Sequence, residues 1–166
     1  AGQEVPKDFQ PYDVWDPEPS PHFRVQFDAF MFILLTGVRA DNCYQLTWDD
    51  VDFDEGRVRI DKIKLKKEPL YINFTNQLCW LLDWRYLKRD SSKWVFPSNV
   101  DNQKHISTIR DFCDYVSKYS GTKQRVTPHS VRRTLGNVSN YIGHGKEIQD
   151  AILHHVPTDV GSKHYV

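Results

Sequence analysis

Excess charge of either sign is missing from this chain: 22 lysines and arginines balance 22 aspartates and glutamates over 166 residues. Bulk electrostatics therefore give no argument for nucleic-acid binding, and any such function must rest on local patches. Cysteine is scarce and odd in number. Cys43, Cys79 and Cys113 lie far apart and in no metal-ligand spacing. That argues against a disulfide framework, and each is expected to be a buried free thiol in a reducing compartment. Long apolar runs are absent as well. The longest, Phe30 to Leu35, is too short to cross a bilayer and suits a buried helix. No signal peptide is visible in the polar start, which carries Glu4, Lys7 and Asp8. There is no internal repeat and no low-complexity tract. What remains is ordinary for one globular domain, at 39% hydrophobic and 27% charged residues.

Residues 1–21 gather Pro6, Pro11, Pro17, Pro19 and Pro21 among Glu4, Asp8, Asp13, Asp16 and Glu18. This composition predicts an extended lead-in or linker, with Tyr12 and Trp15 as residues able to pin it. Residues 22–166 are expected to form the folded domain. Phe23, Phe27, Phe30, Met31 and Leu34 recur at helical spacing, predicting a helix over 22–36 that stops at Gly37. A short helix should cover 40–46. Arg57 to Asp61 alternates and reads as a strand, Leu70 to Phe74 as its partner, with the lysine-rich stretch between them as a hairpin tip. Further helices are expected over 75–87, 106–120, 128–142 (Pro128 at its start) and 146–153. The fold class is α+β, mainly helical with a small antiparallel sheet.

Four clusters carry chemistry: Thr36-Gly37-Val38-Arg39, the tip lysines Lys62, Lys64, Lys66 and Lys67, the pair His129 and Arg132, and His155 with Tyr165. Guanidinium groups stay charged and grip phosphate oxygens bidentately, so Arg39 and Arg132 suit a crowded, doubly negative phosphoryl transition state. His129 lies one helical turn before Arg132 and shares its face. Arg133, one step on, should point elsewhere. Tyr141 lies in a helix and reads as packing.

Taken in order, these clusters resemble the tyrosine recombinase family, the phage integrases and their relatives. Thr36 to Arg39, followed by Leu46-Thr47-Trp48-Asp49-Asp50-Val51-Asp52, is similar to that family's first box, and His129-Ser130-Val131-Arg132-Arg133-Thr134 to the start of its second. Gly143, Leu153 and His155 fall where the family carries a glycine, a leucine and a histidine.

The resemblance implies the recombinase catalytic-domain fold over 22–166, without the family's N-terminal core-binding domain and C-terminal tail. It implies Tyr165 as nucleophile and Arg39, Arg132, His129 and His155 on the phosphate. A hairpin lysine would be the general acid, Lys64 by position, with Lys62 and Lys66 as near alternatives. Lys62, Lys66, Lys67 and Arg133 would contact DNA backbone. It also implies a double-stranded DNA partner, a homotetramer on DNA, no metal or cofactor, no membrane, and a bacterial cytoplasmic setting. Two departures stand out. Asn42 occupies the place of the first box's acidic residue, beside Asp41, and His154 takes the family's usual glycine position. The alternatives are a DNA-binding module of this fold that no longer cuts, and a type IB topoisomerase.

Overall fold

The computed structural model describes residues 20–61, 68–121 and 123–154. The lead-in to residue 19, the lysines of 62–67, and His155 with Tyr165 lie outside them. The described residues form helices around a small sheet, as the alternating and helical patterns predict.

Helix α1, Pro21–Thr36, is the centre. Ser20 caps it by accepting the Phe23 N–H at 3.4 Å, and Pro21 sits where a missing N–H costs nothing. Gly37 ends it at φ +67°, returning its N–H to the Ile33 carbonyl at 2.9 Å. The short α2, Ala40–Tyr44, follows immediately, and a single 3-10 turn then covers Trp48–Asp50. That turn closes because the Asp50 carboxylate accepts from both the Thr47 N–H (2.9 Å) and its hydroxyl (2.6 Å). Strands β1 (Val51–Asp52), β2 (Arg57–Ile60) and β3 (Leu70–Asn73) make an antiparallel sheet in the order β1-β2-β3. Ile60 pairs with Leu70 at the end of the β2–β3 register. The connection carrying the lysines therefore leaves and returns at these two residues.

Helix α3, Asn76–Leu87, buries Leu78, Leu81 and Leu82 against α1. Phe32, Ile33, Val58, Val95, Phe96 and Ile109 complete the fully buried centre. Helix α4 spans Arg110–Tyr119 and starts four residues later than its apolar spacing suggests. The Ile106 N–H donates to the Phe96 carbonyl at 2.9 Å, and Pro97 pairs with His105, so the chain at Ile106 is tied to residues 96–97 and stays out of the helix. Ile106 and Ile109 are still buried, which is why the sequence pattern runs on without a break. The first turn of α4 is capped from another helix: buried Gln26 accepts the Phe112 N–H (3.1 Å) and donates to Asp111 (3.0 Å). Cys43 and Cys113 are buried thiols, but Cys79 is only partly buried and places its Sγ 3.6 Å from the Asp83 carboxylate. The expectation of three buried cysteines fails there, because α3 turns that position away from its leucines.

Helix α5, Pro128–Tyr141, starts at a reciprocal Thr127–Ser130 capping box, and α6 covers Lys146–Ile152. Helices α1, α5 and α6 come close where side chains are smallest. A Cβ on Gly136 would lie 2.8 Å from Leu153 Cδ1, and one on Gly37 would lie 3.0 Å from Leu135 Cδ2 and 3.1 Å from the Ile152 carbonyl. Gly37→Ala adds a methyl there and forces a left-handed backbone, so it is expected to cost about 2 kcal/mol and lower the melting temperature by roughly 4–8 °C. Thermal unfolding followed by circular dichroism checks this; an unchanged midpoint would show that the turn relaxes freely.

Candidate functional site

The end of α1 sets out the site. Its last carbonyls have no partner within the helix, and they form the negative end of its dipole. Two later residues take them up. Arg132, in the second turn of α5, donates through Nη1 to the Gly37 carbonyl and through Nη2 to the Leu153 carbonyl. His154, just beyond α6, donates from Nε2 to the Thr36 carbonyl at 3.1 Å. The Arg132 side chain is thus fixed in plane, with two of its five N–H donors engaged by carbonyls among the described residues.

Arg39 follows the Gly37 turn as the residue preceding α2. It meets Arg132 and His129 in one cleft of about 400 Å³, walled by the start of α5 (Thr127, Pro128) and by Asp41. Arg132 is 5% exposed, whereas His129 is open to solvent. Burial pushes the Arg132 guanidinium down to about 10, and the like charge of Arg39 adds to the effect. It remains a cation at neutral pH. A phosphate between the two arginines would offset their mutual repulsion, which makes the cleft better suited to an anion than to being empty.

Three of the six catalytic residues expected from sequence, Arg39, His129 and Arg132, therefore come together. Arg133 is exposed and does not line the cleft. Lys62, Lys64, Lys66, Lys67, His155 and Tyr165 fall outside the described residues. A crevice next to the cleft is lined by Arg39, Asn42 and Arg132, by Ile60 and Leu70 at the base of the hairpin, and by His154. Asn42 thus shares this crevice with Arg39. His154, expected to be a bystander, is a wall of the same crevice. The one sequence signal for it was a histidine standing at a position that favours glycine. Tyr141 was expected to pack; it is instead 91% exposed at the end of α5. At 1.5 Å per residue it lies about 18 Å along the helix from His129, out of reach of the cleft. Among the described residues no cluster of three or more histidines, cysteines or carboxylates is arranged to hold a metal ion, and no helix is long and apolar enough to cross a membrane.

Residues 20–163 match the model of the phage integrase family. The prophage integrase IntF of Escherichia coli K12 is 28% identical over 136 residues, covering 80% of this chain and 28% of that protein. Among solved structures, the Tn1549 transposon integrase in complex with transposon right end DNA superposes with a TM-score of 0.67 at 17% identity, over 96% of this chain and 66% of that one. A lambda integrase dimer bound to a core site gives 0.64 at 15% identity, over 88% and 54%. XerA recombinase gives 0.58 at 21% identity, over 87% and 57%. The chain thus spans little more than a quarter of its curated relative and roughly half to two thirds of these structures. A family match over most of the sequence, on the same mainly helical fold with its three-stranded sheet, places this chain in the phage integrase family, as a tyrosine recombinase catalytic domain.

Proposed function

We propose that this domain cuts and rejoins DNA strands at specific sites through a covalent 3′-phosphotyrosyl intermediate. The observation that carries this reading is the meeting of Arg39, Arg132 and His129 in one cleft, two guanidiniums and an imidazole drawn from distant parts of the sequence. Arg39 and Arg132 hold the non-bridging oxygens of the scissile phosphate, and His155 donates to one of them. The Tyr165 hydroxyl attacks phosphorus. Its proton passes to a neighbouring base, with His129 placed to take part, and the arginines favour the phenolate. The bond from phosphorus to the 5′-oxygen breaks, and a hairpin lysine, Lys64 by position, protonates that oxygen. The products are a phosphotyrosine and a free 5′-hydroxyl. No water is consumed, so the bond energy is kept and the step reverses. In this reading no metal or cofactor takes part, the partner is double-stranded DNA, and four copies act together in the bacterial cytoplasm. The remaining lysines, Lys62, Lys66 and Lys67, and Arg133 contact backbone phosphates, which fix register without reading bases.

The test is a nicked suicide substrate carrying the chain's target site. The expected result is a denaturation-resistant protein–DNA adduct that is lost in Tyr165→Phe, while DNA binding stays within about twofold of wild type because the phenol hydroxyl is a single contact. An adduct that persists in Tyr165→Phe would sink this assignment of the nucleophile. Binding without any adduct would favour a non-cutting module, and relaxation of supercoiled DNA lacking the site would favour a topoisomerase.

A further inference from the structure

We infer that His154 is a positioning residue that latches the exit of α6 onto the end of α1 and so sets the point from which the tyrosine-bearing segment is delivered. The kinetic part of this inference rests on the phosphotyrosyl reading; the latch itself does not.

His154 is the one described residue other than glycine with a positive φ, at +51°. That conformation is disfavoured for a residue with a Cβ, although histidine adopts it more readily than most. A glycine would hold this turn without strain, so the cost of the histidine backbone has to be offset by contacts of its ring. The ring donates its Nε2–H to the Thr36 carbonyl at 3.1 Å. Thr36 is buried and closes α1, so this carbonyl has no helical N–H of its own. Losing the ring would leave an acceptor that water reaches poorly.

The latch does not act alone. Leu153, its neighbour, is seated in the gap left by Gly136 and Gly37, and the Leu153 carbonyl accepts from Arg132. Three contacts therefore tie the end of α6 to the end of α1: a packed leucine, a guanidinium and an imidazole. His154 is the last of them along the chain. His155 comes next, and Tyr165 lies ten residues beyond that. His154 also faces Ile60 and Leu70, the two residues from which the lysine hairpin departs. One side chain thus borders both segments that would carry the attacking group and the proton donor, with Arg39 and Arg132 beside it.

The test uses two variants of the full chain. His154→Ala removes the ring and keeps the Cβ, so the cost of the left-handed backbone stays as in wild type. His154→Gln restores a donor near the Nε2 position. Amide hydrogen exchange of the peptide covering residues 146–153 should speed up about fivefold to tenfold in His154→Ala, the usual worth of one net hydrogen bond, with α3 unaffected. His154→Gln should return it to within about twofold of wild type. In the suicide-substrate assay, adduct formation by His154→Ala should fall about tenfold with DNA affinity unchanged, and His154→Gln should recover it. Exchange that does not change in His154→Ala, or that His154→Gln fails to restore, overturns the latch. Faster exchange with an unchanged adduct rate overturns the delivery role. A wild-type chain forming no adduct would count against the reaction, and the exchange comparison would still decide the latch.

Discussion

Arg132→Lys is expected to slow covalent attachment to DNA by a factor of about 10² to 10³, the cost of removing a preorganised donor from a developing oxyanion. The substitution keeps the charge and loses the geometry. Lysine has one nitrogen at the end of a flexible stem, and it cannot meet the Gly37 carbonyl, the Leu153 carbonyl and a phosphate oxygen together as the guanidinium fork does. DNA affinity should fall far less, since most of it comes from backbone contacts spread over the interface. Single-turnover adduct formation alongside equilibrium binding separates the two effects. A rate within tenfold of wild type would mean that charge suffices and that the fixed plane of Arg132 is irrelevant.

Asp28→Ala should be among the most destabilising single changes in the domain, at about 3 kcal/mol or more, with a melting temperature lower by roughly 6–12 °C. The carboxylate is 1% exposed and lies in the core face of α1. Arg85 reaches it at 2.7 Å while also donating to the Val95 carbonyl at 2.6 Å, and Arg24 approaches it at 3.4 Å. Removing the acid leaves two guanidiniums in an apolar setting beside Phe27, Trp84 and Phe96. The pH dependence has a definite sign. Burial raises the Asp28 carboxyl above its ordinary value despite both arginines. The folded protein therefore holds that proton more readily than the unfolded chain. The contribution of Asp28 is full below the ordinary carboxylate range and declines as pH rises through its folded titration. The stability gap between wild type and Asp28→Ala should thus be no wider at neutral pH than in mild acid. A gap that grows with pH would show that the arginines outweigh burial.

Much of this was legible in the residues, and the parts that were not share a cause. Periodicity found α1, α3, α5 and the β2–β3 pair because each follows a local rule of spacing, cap or glycine stop. Arg39, His129 and Arg132 were legible as a set because residue type and order carry that information. The start of α4 was misplaced because Ile106 keeps its buried position while its N–H is taken by Phe96, a partner ten residues away that no helical spacing reveals. Tyr141 reads as packing because a helix wheel does not show that its ring stands clear of the other described residues at the end of α5. The carbonyls that orient Arg132 were invisible for a simpler reason: every residue has one, and only the fold selects Gly37 and Leu153.

The ties at the end of α1 also bear on when the arginine cleft comes into being. Arg132 reaches back 95 positions to Gly37, and His154 reaches back 118 to Thr36. Contacts of such separation require a large loop to close before they return anything, so they are slow to form and belong to the late stages of folding. During synthesis Arg39 emerges long before its partner, and the first half of the chain can build α1 and the sheet with no phosphate grip. The cleft cannot form before residue 132 has left the ribosome, and Arg132 gains the Leu153 carbonyl that helps to fix its plane only after 21 more residues have followed.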